Sequence, residues 1–262
     1  MSILLSGDFH ANNNSEISSI TKDKLIKKYG EDIFNEIRYH IILGDAGFLL
    51  PENKRKDSAS YFSLSRRKFP VLCVIGDYDP VLGMNNLKET DIGIGETVYL
   101  IKEKEPDIAY LKRGKVYTID GIKFLVLGGA LSLEKNKMIA KKTWWEKEYW
   151  SEQEKKDLFK LLETDNSYDC VISHTGPLFM NNYFIKNLGL YKEQSFDEVA
   201  FMNGEIEKRI NFQFWFCSHF KKYFDCTDEA KNSRYLYFHK ITRVIRKEGN
   251  QIKFSSRFGI IE

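Results

Sequence analysis

Six residues of this sequence carry side chains that bind hard or borderline metals, and each follows an apolar run: Asp8, His10, Asp45, Asp77, His174 and His219. Asp8 and His10 are two apart, so an extended backbone sends both side chains to one face. The other four come from four separate segments. A dinuclear centre requires such convergence, because one segment cannot surround two ions. Asp oxygens mixed with His nitrogens suit manganese, iron, zinc or nickel, and are richer in nitrogen than a magnesium site would be.

The segments that must position these residues are short apolar runs with polar tips. Ile3–Ser6 precedes GDFH, Tyr39–Leu43 precedes GDAG, and Phe69–Ile75 precedes GDYD. Further along, Ile122–Leu127 precedes GGAL, Cys170–Ser173 precedes HTGP, and Phe212–Cys217 precedes SHFKKY. Continuous β-branched and aromatic runs of this length predict strands buried on both faces. The polar tips after such strands are where α/β folds gather their chemistry.

Helical patterns separate several of the strands. Leu25, Ile26, Ile33, Phe34 and Ile37 lie at roughly helical spacing within 15–38, broken near Gly30. Ser151 and Glu154 form a capping box ahead of Leu158, Phe159, Leu161 and Leu162. Alternation at Tyr235, Tyr237 and His239, and again at Ile252, Phe254 and Ser256, predicts antiparallel strands. Strands with helices on both sides predict a layered α/β sandwich. Without a linker-like or repetitive segment, the 262 residues read as one domain.

Composition narrows the class. Hydrophobic residues at 42% and charged residues at 29% are those of a globular protein and exclude a wholly disordered one. The net charge of +3, from 40 basic and 37 acidic residues, is too even to mark a nucleic-acid footprint. No apolar stretch approaches the ~20 residues of a membrane helix. The start, MSILLSGDFH, lacks the basic lead of a signal peptide, so a cytoplasmic location is expected. Cys73, Cys170, Cys217 and Cys226 show no zinc spacing, and the three within apolar runs read as buried reduced thiols.

Taken in order, GDFH, GDAG, GDYD, SHTGP and CSHFK resemble the GDxH, GDxx, GNH(D/E), H and GHxH motifs of the calcineurin-like metallophosphoesterases. GGALSLEK and TWWEKEYW resemble the GGAxSxDK and WWxxE stretch of a bacterial or phage type within that family. A lone GD pair is more often a turn capping a strand. Five motifs in order, spanning residues 7 to about 240, are far more specific. The resemblance implies a single-domain four-layer α/β/β/α sandwich over residues 1–262. It implies that Asp8 and His10 hold one metal, that Asp45 bridges, and that Asp77, His174 and His219 hold the second. Two ions about 3.5–4 Å apart would clamp a phosphoryl group and activate a water. The implied substrate is a phosphorylated small molecule, a nucleotide or a phosphoprotein, with nucleic acid a further option and no role for a membrane.

Three departures from the family pattern bear on activity. Asp77 replaces the Asn of the third motif and adds a negative charge. Tyr78 replaces the following His, and a phenol is a poor acid near neutrality. Asp79 is kept, but without that His as its partner. Lys221 replaces the last His of GHxH, and a protonated amine has no lone pair to give a metal. Tyr78, Asp79 and Lys221 are thus the expected catalytic set, with a weakened first site and a complete second one. One or two divalent ions are implied, manganese first among them. The alternative is a degenerate member that binds a phosphorylated ligand or a protein without efficient hydrolysis.

Other chemically capable residues have plainer readings. His40 and His239 read as packed or surface histidines. Trp144, Trp145, Tyr149 and Trp150 read as core or a helix face. The basic runs Lys54–Lys56, Arg66–Lys68 and Lys141–Lys142 read as solvated faces.

Overall fold

The computed structural model describes residues 1–7, 9, 20–49, 61–62, 64–67, 69–84, 87–103, 107–132, 149–188, 197–220, 223–238, 242–256 and 259–261. Among these, the strands are β1 (Ser2–Ser6), β2 (Ile37–Ile42), β3 (Val71–Cys73), β4 (Lys88–Thr90), β5 (Val98–Lys102), β6 (Ile108–Leu111), β7 (Lys115–Ile119) and β8 (Ile122–Leu127). They continue with β9 (Cys170–Ser173), β10 (Phe214–Cys217), β11 (Phe224–Asp228), β12 (Ser233–Tyr237), β13 (Thr242–Glu248), β14 (Gln251–Ser256) and β15 (Gly259–Ile261). The helices are α1 (Lys22–Tyr29), α2 (Glu31–Glu36), α3 (Glu152–Thr164), α4 (Leu178–Leu188) and α5 (Glu198–Glu207).

The strands form two sheets. The first runs β15-β14-β13-β1-β2-β3-β6-β5-β4 and the second β11-β12-β10-β9-β8-β7. At the centre of the first, β1, β2, β3 and β6 are parallel, and Leu5, Ile41, Leu72 and Ala109 stand in one row across them. At the centre of the second, β8, β9, β10 and β12 are parallel, and Val126, Ile172, Phe216 and Leu236 form the matching row. Both rows enter one fully buried cluster, so the sheets pack face to face. The outer face of the second sheet is covered by Leu158, Leu162, Met180, Phe184, Val199 and Ile206 of α3, α4 and α5. Leu25 of α1 and Phe34 of α2 cover the first sheet, packing on Leu4, Phe69 and Val244. The order helix, sheet, sheet, helix is the α/β/β/α sandwich expected from the sequence.

All six apolar runs are strands. The helical reading breaks at Gly30 as expected, where φ +88° separates α1 from α2, but it extends too far at its end: Ile37 opens β2 instead of closing a helix. The capping box of α3 forms as read, with Ser151 Oγ accepting from Glu154 N at 3.3 Å and Glu154 Oε2 accepting from Ser151 N at 2.8 Å. The alternating strands need one correction. β12 is antiparallel to β11 but parallel to β10, because its chain re-enters the sheet beside a central strand. His40 is packed, as expected, and Cys73, Cys170 and Cys217 are buried and unpaired. Trp150 is core, with its indole N–H donating to Gly128 O at 2.9 Å. Of the basic run 66–68, Arg66 is exposed, but Arg67 is 4% exposed, not solvated. Lys54–Lys56, Lys141–Lys142, Trp144, Trp145 and His239 lie outside the described residues. No described helix is long and apolar enough to cross a membrane.

Candidate metal centre

Parallel strands bring their C-terminal tips to one end of a sheet. Here the tips of β2 and β3, from the first sheet, meet those of β9 and β10, from the second. They deliver Asp45, Asp77, His174 and His219 to one buried spot. The ligating atoms of Asp77, His174 and His219 all lie within 4.8 Å of one another, a group able to hold a metal ion.

The backbone reaches this spot only because glycines precede both aspartates. A Cβ on Gly44, at φ +92°, would stand 2.1 Å from His174 Nδ1, and one on Gly76 would stand 2.1 Å from Asp45 Oδ1. Asp45 and His219 themselves take positive φ, 51° and 87°. For a residue with a Cβ this conformation costs about 1–3 kcal/mol and is concentrated at functional sites.

His174 is fully buried and its tautomer is set from behind. Its Nδ1 lies 2.8 Å from Leu43 O and donates to that carbonyl, leaving Nε2 to face the carboxylates. Nε2 lies 3.0 Å from Asp77 Oδ1 and 3.6 Å from Asp45 Oδ1. His219 Nδ1 lies 3.4 Å from Asp77 Oδ1, and the two imidazoles meet edge to face at 5.0 Å. Ser218 Oγ also hydrogen-bonds to Leu43 O, fixing the turn that carries His219.

Electrostatics follow from crowding these groups away from water. Burial raises Asp45, and the Asp77 charge raises it further. Burial opposes ionisation of Asp77 too, but the neighbouring His219 and hydrogen bonds from both histidines hold it well below the carboxylate range. Burial would lower His174, yet the Asp45 charge and its hydrogen bonds to both aspartates push it well above the ordinary imidazole value. Burial beside two carboxylates thus makes this a spot that favours positive charge. The atoms left over are Asp45 Oδ2, Asp77 Oδ2 and His219 Nε2, each buried with no hydrogen-bond partner. Three lone pairs of the types that ligate divalent ions are thus unused, and the donor set fits a metal.

Asp79 serves this site from behind. Its carboxylate accepts from Asp45 N at 3.0 Å, Gly76 N at 2.8 Å, Gly47 N at 3.4 Å and the Tyr110 hydroxyl at 2.7 Å. It ties the β2 and β3 tips together, and burial with the Asp45 charge pushes it up to about 7. Tyr78 is half-buried, and its N–H donates to Asp45 Oδ1 at 3.0 Å. Asp8, His10 and Lys221 lie outside the described residues.

Several positioning groups had no signal in the sequence. Tyr110 sits within an ordinary apolar strand. The turn after His174 is latched by Ser173 Oγ and Asn203 Nδ2, which donate to Thr175 O at 2.7 and 2.9 Å, and Trp215 Nε1 donates to Ser173 Oγ at 2.8 Å. Among these, only Ser173 adjoins a motif residue, and nothing in the sequence pairs it with Trp215 or Asn203.

No family model matches the chain. No curated protein matches it either. Among solved structures it is similar to a dimetal phosphatase from Danio rerio, at 10% identity and a TM-score of 0.54, over 100% of this chain and 98% of that one. A second solved structure matches over 97% and 98% of the two chains, at 10% identity and a TM-score of 0.53. Wild-type Vps29 from Entamoeba histolytica, complexed with zinc, covers 97% and 90% at 12% identity, with a TM-score of 0.35. The chain has the calcineurin-like metallophosphoesterase fold. Within that fold it presents a buried Asp-His-His group able to hold a metal.

Proposed function

We propose that the protein is a metal-dependent phosphoesterase that hydrolyses a phosphomonoester or phosphodiester with a metal-activated water. The carrying observation is the set of unpartnered buried atoms, Asp45 Oδ2, Asp77 Oδ2 and His219 Nε2, converging with His174 where two sheets meet. Asp45, Asp77, His174 and His219 would hold one divalent ion, manganese first and iron, zinc or nickel as alternatives. Asp8 and His10 are the proposed ligands of a second. Such ions polarise a phosphoryl oxygen and lower the pKa of a bound water. The chain's own part is to present these ligands already oriented, with Leu43 O setting the His174 tautomer and Asp79 bracketing the two aspartate loops. Asp79 is accordingly proposed as a positioning residue. Tyr78 is proposed at the substrate side, as a hydrogen-bond donor. The proposed substrate is a phosphorylated small molecule, a nucleotide or a phosphoprotein.

The test is turnover of an aryl phosphate and an aryl phosphodiester by manganese-loaded protein. Stimulated hydrolysis of either, lost in His174→Ala, is expected; tight metal binding without turnover would overturn the hydrolytic part.

A second reading is favoured by Tyr78 and Lys221, which stand where the resembled family has an acid and a ligand. It is a binding protein for phosphorylated ligands with little hydrolysis. Under it, Tyr78→His with Lys221→His raises turnover by orders of magnitude. An unaltered or lowered rate counts against it.

A further inference from the structure

A second buried polar cluster lies where the turn after β9 meets α4 and α5. Thr175, bonded to His174 in the chain, is fully buried. Asn181 of α4 and Asn203 of α5 are 2% and 1% exposed, and Asp197, the N-cap of α5, is buried too. Asparagine is a poor helix former because its amide competes for backbone groups, and a buried amide costs free energy wherever it lacks a hydrogen bond. That cost is present here, since Asn203 Oδ1 is buried without a partner. Leucine or alanine would pack between two helices without it, so the pair of asparagines needs another reason.

Their hydrogen bonds supply one. Asp197 Oδ1 accepts from Ala200 N at 2.9 Å, closing the α5 cap, and Oδ2 accepts from Asn181 Nδ2 at 2.8 Å. Both oxygens act as acceptors, as those of an ionised carboxylate do. The same Asn181 nitrogen lies 3.3 Å from Thr175 Oγ1, and Asn203 Nδ2 donates to Thr175 O at 2.9 Å. A continuous series of contacts therefore runs from the α5 cap through α4 to the residue beside His174. His174 O in turn accepts from Ser218 N at 2.8 Å, which joins the two histidine turns. The α4–α5 pair grips the histidine half of the centre as Asp79 grips the aspartate half.

We propose that Asn181 and Asp197 are positioning residues of the metal centre: their hydrogen bond ties α4 to α5 and, through Thr175, fixes where His174 and His219 present their ring nitrogens. The proposal rests on the metal-dependent reading of the centre.

Calorimetric titration with manganese, beside urea unfolding of the metal-free chain, tests it. Asn181→Asp sets a second carboxylate against Asp197 and should weaken manganese binding about tenfold. Adding Asp197→Asn exchanges donor and acceptor: the new amide can cap α5 with its oxygen while its nitrogen donates to the new carboxylate. The exchanged pair should recover most of the affinity. Should Asn181→Asp fail to fold, Thr175→Val decides; it deletes one hydroxyl, keeps the carbonyl, and should weaken binding about threefold, roughly the worth of one neutral hydrogen bond. A link that only holds the fold together would shift the urea midpoint and leave the manganese affinity native, and that result overturns the proposal. So does an exchanged pair as weak as Asn181→Asp alone. A native chain that binds no manganese would instead overturn the metal reading, and this proposal with it.

Discussion

His174 illustrates how little freedom the centre leaves its residues: a carbonyl holds one ring nitrogen and two carboxylates wait on the other. Gly44 makes that approach possible. Gly44→Ala would push a methyl into the ring at a backbone angle hostile to any Cβ, so it should destabilise the fold by roughly 2–4 kcal/mol. Denaturant unfolding would measure the loss, and metal content should fall with it. Asp79 is a subtler case. An amide offers one acceptor oxygen and turns a donor toward backbone N–H groups, so Asp79→Asn should lower manganese affinity about 10- to 100-fold without removing a ligand. Calorimetric titration of the variant checks this. An unchanged affinity would confine Asp79 to a structural role. The metal-ligand candidates are visible in the sequence because each terminates an apolar run. Asp79's true partners are not, since three are backbone N–H groups and the fourth is a tyrosine inside a strand.

The elements were more legible than their contacts. Six apolar runs became strands because burial on both faces demands apolar side chains throughout. The α3 capping box was readable because its two partners are three residues apart. What no local pattern shows is that Glu154 has a second task. Its carboxylate takes two hydrogen bonds from Arg113, each 2.9 Å, and Arg113 also donates to Tyr149 O at 2.8 Å while lying over Trp150. Ser151→Ala should therefore cost about 1 kcal/mol, the ordinary loss of a cap. Glu154→Ala removes the cap's other half and two hydrogen bonds of a nearly buried guanidinium. Its cost should be about 2 kcal/mol, less than the ~3–5 kcal/mol of a wholly buried pair, because the Glu154 side chain is 35% exposed. Chemical denaturation of both variants separates the two contributions, and equal losses would reduce Glu154 to a cap. Arg67 was misread for a related reason: a charge run suggests a solvated face, and only the fold places Phe69 beneath the middle residue.

At the scale of the whole molecule, the centre is a junction. Asp45 and Asp77 belong to the first sheet and His174 and His219 to the second, so an ion held by all four would cross-link the two layers over their shared core. Without it, the contact of His174 Nε2 with Asp77 Oδ1 joins the same tips and leaves Asp45 Oδ2, Asp77 Oδ2 and His219 Nε2 without a partner. Metal at a thousandfold excess over its dissociation constant stabilises the folded state by about 4 kcal/mol. For a chain of this size that corresponds to roughly 10 °C in Tm. Chelation should therefore lower the Tm by about that amount, and Asp77→Ala or His219→Ala should abolish most of the difference. The cross-link makes a sharper demand on where the loosening occurs. Hydrogen exchange on chelation should rise together at the tips of β2 and β3 and at the tips of β9 and β10, while the central rows through Ile41 and Ile172 stay protected. Loosening confined to one sheet would mean that the ion is held by that sheet alone, and that the convergence of four strand tips is a matter of packing.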